Sequence, residues 1–364
     1  MEVHMTHFLP PGEIGDEEMA LYQDARRRPR AIDLCRQGGA VVRSLEQNLR
    51  IGWIGIHMEG IPALKALLES GVRVEGVITL KAEARSRRCG SVEYTSGLRG
   101  FDLPVYEVGN INDDEAIAVL NAMSLDIAFV IGWGQLLRPE TLATARMGMI
   151  GAHASLLPHN RGSAPINWAL IKGETCTGNS LIWLSDSVDS GHLIDQVEIP
   201  ISVYDTCASL YEKVAQSNRQ MILRLVPRLL AGERPGRAQS PTDGPILPRR
   251  RPADGLVDWT LEAGQIYNYV RALTRPYPGA FSWLEGRCWR IWNCAVLPET
   301  KTADTIPGQI VGPVFSPLES ACGQMVSCGT GAIVQLELEG PEGEILRGRE
   351  LSNQGWERKV WTNG

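Results

Sequence analysis

The stretch Leu49–Leu80, LRIGWIGIHMEGIPALKALLESGVRVEGVITL, decides the fold. Apart from Arg50, its first eight residues are an apolar run of strand length, which reads as a strand buried on both faces. IPALKALLESG carries apolar residues at helical spacing, with a proline at its second position and Gly71 as its stop. VRVEGVITL is then a second strand. The alternation continues through a short strand at Val105–Val108, a helix from about Asp113 to Met123, and an apolar strand in LDIAFVIGW (Leu125–Trp133). A helical segment from Pro139 to Arg146 and the run MIGAHA (Met149–Ala154) follow. Strands alternating with helices at this pitch predict a Rossmann-like α/β fold, a parallel sheet with helices on both faces. HMEG after the first strand lacks the GxGxxG pattern, so no dinucleotide site is indicated there.

Working outward, an amphipathic helix is expected from about Thr206 to Gly232, with Pro227 kinking or dividing it. Residues 233–253, rich in Pro, Gly and Arg, read as a linker. Beyond it lie a short helix (QIYNYVRAL) and strands in FSWLEGRCWRIWNCAVL, GQIVGPVF, GAIVQLELEG and EILRGREL, joined by glycine turns. They predict a small β-barrel, OB-like, C-terminal domain. On the other side, residues 1–48 read as an N-terminal extension, with a Pro-Pro-Gly break, an acidic run (Asp16, Glu17, Glu18) and a basic run (Arg26, Arg27, Arg28, Arg30). Glu18 to Arg36 could form one or two helices, and the arginines read as a solvated face or a docking contact. The expected organisation is therefore an extension at 1–48, a catalytic domain at 49–232, a linker at 233–253 and a β-rich domain at 254–364.

The bulk composition narrows the function classes. With 364 residues the chain exceeds one ordinary core. No apolar run approaches membrane-span length, and the N-terminus lacks the basic start and apolar core of a secretory signal, so a cytoplasmic protein is expected. The eight cysteines (35, 89, 176, 207, 288, 294, 322 and 328) show no CxxC and no Cys/His cluster at zinc spacing; reduced thiols and no metal site are expected. A net charge of −6 argues against a surface that attracts nucleic acid as a whole.

The candidate site lies in IGAHASLLPHNRGSAPINWALIKGETCTGNSLIWLSDSVDSG (Ile150–Gly191). His153 follows an apolar strand, and Asp189, thirty-six positions later, sits in a Ser/Asp/Gly loop after another. Strand-end loops are where chemistry is displayed. A histidine beside a carboxylate can accept and return a proton, because the carboxylate favours the charged imidazole. Taken alone, the histidine is weak evidence, and the aspartate could simply cap its turn.

Read together, the residues resemble the 10-formyltetrahydrofolate-dependent formyltransferases. That family's signature is an asparagine, any residue, a histidine, then a Ser-Leu-Leu-Pro loop and Arg-Gly, with a catalytic aspartate thirty-six residues after the histidine. His153, Ser155, Leu156, Leu157, Pro158, Arg161, Gly162 and Asp189 match it. SAPINWALIKGETCTG (Ser163–Gly178) looks like the UDP-aminoarabinose, or sugar N-, formyltransferases. RRRPADGLVDW with IYNYVRALTRPYPGAF is similar to the start of the C-terminal domain that those enzymes share with methionyl-tRNA formyltransferases. The resemblance implies a biosynthetic one-carbon transferase using 10-formyltetrahydrofolate. It implies catalysis by His153 and Asp189, with the pterin flanked by Ile131, Trp133, Gln135, Leu136 and Leu137 on one side and by Ser185, Asp186 and Val188 on the other. Trp133 could equally be a packed core aromatic. The loop residues Ser155, Pro158, Asn160, Arg161 and Gly162 are the candidates for contact with the acceptor, although Arg161 could equally pin the loop.

One position departs from the pattern. Gly151 stands where the family has its asparagine, whose amide is expected to hydrogen-bond the formyl oxygen; loss of one such donor typically slows a reaction by about 100- to 1000-fold. Four explanations are open: a compensating donor such as Asn160 or a water, a folate-binding pseudo-enzyme, a different one-carbon chemistry in a roomier pocket, or a larger acceptor filling the vacated volume. Retained transfer is the favoured reading, because His153 and Asp189 are both present. The acceptor amine would belong to a nucleotide-linked amino sugar, a specialised-metabolite amino acid, an aminoacyl group on a carrier protein, or methionyl-tRNA. From Val226 onward fifteen basic residues face fifteen acidic ones, which disfavours tracking of tRNA phosphates. A small-molecule acceptor is expected, with no membrane partner; a carrier protein and a homodimer are left open.

Overall fold

The computed structural model describes residues 49–240, 244–297 and 305–364, all within the second of two units, Gln47–Gly364. The extension at 1–48, with its arginine tract and expected helices, lies outside the described residues.

The chain runs β1 (Ile51–Gly55), α1 (Ile61–Glu69), β2 (Val74–Leu80), β3 (Val105–Val108), α2 (Asp114–Met123), β4 (Ile127–Ile131), β5 (Gly148–His153), α3 (Pro165–Ile171), β6 (Cys176–Trp183), β7 (Leu193–Pro200) and α4 (Cys207–Leu230). These strands make one sheet in the order β3-β2-β1-β4-β5-β6-β7. The first five are parallel, as the alternating pattern requires. Every residue of β1 and β4 is buried, which accounts for their unbroken apolar character. One core cluster, around Trp53, Leu64, Phe129 and Met221, covers one face of the sheet; another, around Ile54, Ile78, Leu120 and Met149, covers the other.

The parallel pattern ends after β5. β6 pairs antiparallel with β5, and β7 antiparallel with β6. The reason is local: α3 has seven residues and packs against the next domain, so the chain re-enters the sheet from the edge at which β5 ended. The expected helix from Pro139 to Arg146 is a single turn, Pro139–Leu142. α4 passes through Pro227 without dividing, because the proline falls in its last turns. A Thr206/Ser209 capping box starts it.

The second domain opens with α5 (Ala263–Leu273). β8 (Ala280–Leu284) and β9 (Arg287–Leu297) form a hairpin turned by Glu285 and Gly286, both at positive φ. β10 (Ile310–Val314), β11 (Gly323–Ser327), β12 (Ala332–Glu339) and β13 (Ile345–Arg347) complete an antiparallel sheet ordered β10-β11-β12-β9-β8, with β13 on β12. After three residues of strand, EILRGREL turns into a short helix, Gly348–Ser352. The last residues join the two sheet edges: Thr362 bridges Trp283 in β8, and Val360 bridges Gln309 at the start of β10. The two domains share one core, in which Ile166, Leu170, Leu210 and Val214 pack with Val257, Trp259, Ile266 and Val270.

Candidate active site

His153 is the last residue of β5, and its ring is largely buried. Nδ1 lies 3.4 Å from Asp189 Oδ2. Nε2 lies 2.9 Å from the backbone carbonyl oxygen of Asn160. A carbonyl only accepts, so Nε2 carries a hydrogen; the carboxylate likewise favours a hydrogen on Nδ1. A hydrogen on each ring nitrogen would give both partners a donor. Asp189 Oδ2 also accepts the Gly162 N–H at 2.8 Å, and Asp189 itself is held at φ +50°. The turn that carries it is tied to the linker, where Gln239 Nε2 donates to the carbonyls of Asp189 and Gly191, each at 2.8 Å. The linker also runs beside the catalytic loop, with Leu247 N–H on Arg161 O at 2.7 Å and Ser163 N–H on Leu247 O at 3.0 Å.

The loop residues divide by what their polar atoms do. Ser155 is buried and donates to His159 O at 2.7 Å, while its own carbonyl accepts from Ser180 Oγ; it pins the loop. Pro158 follows a cis peptide bond. Asn160 turns its amide nitrogen to the Glu174 carboxylate and its amide oxygen to Lys172 Nζ, so its side chain is engaged away from His153 and only its backbone carbonyl meets the ring. Arg161 has its Nε buried without an acceptor among the described residues.

On the proposed cofactor side, Ile131 is fully buried in β4. Trp133 and Leu137 pack partly buried against the same cluster as Leu184, and the Trp133 indole N–H is buried without an acceptor. Leu136 is exposed. Gln135 is consumed locally: its oxygen accepts from Ile111 N–H at 2.9 Å and its nitrogen donates to Gly109 O at 3.3 Å. In the facing turn Ser185 Oγ reaches Ser187 O and Ser190 Oγ, Asp186 is exposed and Val188 is half-buried. The space at Gly151 is filled by the Leu184 side chain, so no roomier pocket opens there.

Three participants escaped the sequence reading. Leu184 and Gln239 meet the site only because the chain doubles back, and no local pattern marks them. Arg88 donates to Gly134 O at 2.9 Å beside the cofactor segment, and its pKa is lowered by burial and by the nearby Arg249. A separate buried cluster sits behind that segment. His57 Nδ1 lies 3.8 Å from Glu59 Oε2, its ring is 4.5 Å from that of Tyr211, and Tyr211 OH meets Tyr277 OH at 2.6 Å. Burial pushes Glu59 up to about 7 and His57 down to about 4, so near pH 7 His57 is neutral and Glu59 is about half ionised. Among the described residues no group of three or more His, Cys, Asp or Glu could hold a metal ion.

A strand-end histidine paired with an aspartate, set in a Rossmann-like domain joined to an antiparallel β domain, is an arrangement able to move a proton during acyl-group transfer. Residues 59–226 match the formyl transferase family and residues 250–355 its C-terminal domain. Methionyl-tRNA formyltransferase of Geobacter sulfurreducens is 32% identical over 312 residues, spanning 84% of this chain and 95% of that protein. Among solved structures, HypX of Aquifex aeolicus bound to tetrahydrofolic acid aligns with a TM-score of 0.59 and 16% identity over 85% of this chain, which spans 48% of HypX. The N-formyltransferase of Helicobacter canadensis, bound to folinic acid and dTDP-3-aminofucose, aligns with a TM-score of 0.56 and 15% identity, covering 79% of this chain and 99% of that one. The chain belongs to the formyl transferase family and is a formyl-transferring enzyme. Among the described residues no helix is long and apolar enough to cross a membrane.

Proposed function

We propose that this enzyme moves the formyl group of 10-formyltetrahydrofolate onto the amine of an anionic small molecule, of which a nucleotide-linked amino sugar is the best-fitting class. The observation that carries the reading is the His153–Asp189 pair, with both ring nitrogens facing acceptors. The folate supplies the one-carbon unit when bound; Trp133, with a buried N–H that lacks an acceptor, and the turn Ser185–Asp189 are the groups that would hold a pterin edge. With Nδ1 turned to Asp189, His153 moves its Nε2–H from Asn160 O to the substrate, where it stabilises negative charge on the formyl oxygen and passes its proton to the departing nitrogen. The acceptor nitrogen then returns a proton to the ring.

An anionic acceptor is favoured by three guanidinium groups in this region. Arg88 feels the charge of Arg249. Leu247, two residues before Arg249, is hydrogen-bonded to Arg161. None of the three has a carboxylate partner among the described residues. In the β domain, by contrast, three arginines are paired with carboxylates: Arg275 with Glu337 and Glu339, Arg290 with Glu339, and Arg287 with Glu342 and Glu344. That favours a small anion over a long polyphosphate track. The 32% identity to a methionyl-tRNA formyltransferase supports a second reading, with tRNA as the acceptor.

Tetrahydrofolate release, followed by absorbance with 10-formyltetrahydrofolate and a panel of amines, tests the reading. Release is expected with nucleotide-linked amino sugars, and His153→Ala or Asp189→Asn should lower it by about 100-fold or more. Folate binding without release to any amine would sink the transfer reading. Formylation of methionyl-tRNA at physiological salt would replace the small-molecule acceptor with tRNA.

A further inference from the structure

β5 turns Gly151 and His153 to the same side, two residues apart. A Cβ at Gly151 would stand 2.5 Å from Leu184 Cδ2 and 3.2 Å from Cγ, and the glycine's φ lies outside the left-handed range. Its backbone would therefore accept a side chain, and Leu184 is what fills the place. Leu184 is tied down on both sides. Its N–H donates to Met149 O at 2.8 Å, and its side chain packs on two apolar clusters, Leu157, Ile182 and Leu193 on one side and the cluster containing Met149 and Val130 on the other. Five residues later the same turn delivers Asp189 to His153.

We infer that Leu184 is a positioning residue paired with Gly151: it wedges the Asp189 turn against β5, makes the wall beside His153 apolar, and leaves His153 Nε2–H, once it exchanges Asn160 O for the substrate, as the donor to the formyl oxygen. The chemical half of this inference rests on the formyl-transfer reading above; the steric half does not. In the transfer the acceptor nitrogen's lone pair forms the new C–N bond while the C=O π pair moves onto oxygen. As the carbonyl re-forms, the bond from the formyl carbon to the folate nitrogen breaks. The departing nitrogen takes the His153 proton, and the acceptor nitrogen's proton restores the ring, so protons balance without a co-reactant.

A cycle of wild type, Gly151→Asn, Leu184→Ala and Gly151→Asn/Leu184→Ala tests both halves, with Tm and the kcat and KM of tetrahydrofolate release as the readouts. Gly151→Asn alone should lower Tm and slow release by about 100-fold, because the asparagine displaces the wedge and with it Asp189. Leu184→Ala should slow release, and Leu184→Met should keep it. The double variant should recover Tm relative to Gly151→Asn. Its kcat should also recover relative to Gly151→Asn, since the new amide then supplies a second donor at the formyl oxygen. Additive Tm changes would overturn the steric pairing. Coupled Tm changes with release by the wild type but no recovery of kcat in the double variant would overturn the placing of Leu184 beside the formyl oxygen. Coupled Tm changes with no release from any of the four proteins would overturn formyl transfer and leave the wedge standing.

Discussion

Gly162 has φ +111° and carries its N–H to Asp189 Oδ2, while the linker lies against the place a side chain would occupy: a Cβ there would be 2.4 Å from Leu247 O and 2.6 Å from Leu247 N. Both obstacles are backbone, so no rotamer change relieves them. Gly162→Ala should destabilise the protein by about 1 to 3 kcal/mol through strain and reduce kcat by loosening Asp189; a thermal melt and a turnover assay read the two effects separately. Gly162, His153 and Asp189 were legible in the sequence because the matched loop fixes their spacing. Leu184 was not, since its contact with Gly151 exists only after β6 has reversed direction. Ser155, Gln135 and Asn160 show a further limit. Their residue types suit ligand contact, but whether a hydroxyl or an amide is free or already engaged depends on His159, Gly109 and Glu174, and residue type alone does not show those partners.

At the scale of elements, the site is built where the parallel sheet changes to antiparallel. The five parallel strands were legible because each is a short apolar run with a helix or turn behind it. The reversal was hidden in α3, whose length is readable but whose packing against α5 is not. That reversal brings the Leu184–Gly191 turn back over β5, and the linker then clamps it through Gln239. Gln239→Ala removes both hydrogen bonds to the turn while touching neither His153 nor the Asp189 carboxylate. The expected outcome is a fall in kcat with a smaller change in KM for the amine, measured by steady-state kinetics; an unchanged kcat would show that the turn holds Asp189 without the linker. The linker's Pro, Gly and Arg content signalled a connection between domains, and gave no sign that it reaches the catalytic turn.

For the whole molecule, the cluster of His57, Glu59, Tyr211 and Tyr277 joins the end of β1 to the β domain's entry loop and makes stability depend on pH. Glu59 is raised from 4.5 to about 7 in the folded protein. Between those values the unfolded chain holds fewer protons, so this group's contribution is intact below 4.5 and is lost as pH rises to 7. His57, lowered from 6.5 to about 4, acts in the opposite sense: its contribution is intact above 6.5 and is lost as pH falls to 4. Glu59→Gln removes the first penalty, so its Tm should exceed the wild type's increasingly as pH rises from 4.5 to 7 and hold a constant lead above that. A Tm difference independent of pH would rule out Glu59 as the titrating group.

The shared core between the two sheets carries a consequence for how this enzyme can change. Ile166 and Leu170 of α3, the helix that directly follows the catalytic loop, bury themselves against residues more than eighty positions downstream, and Asn167 Nδ2 donates to Ala272 O at 2.5 Å. The β domain is thus no detachable module. A chimera that exchanged it for a relative's would inherit a foreign footing under its own catalytic loop, so new acceptors are reached more readily by altering the arginine-lined mouth than by trading domains.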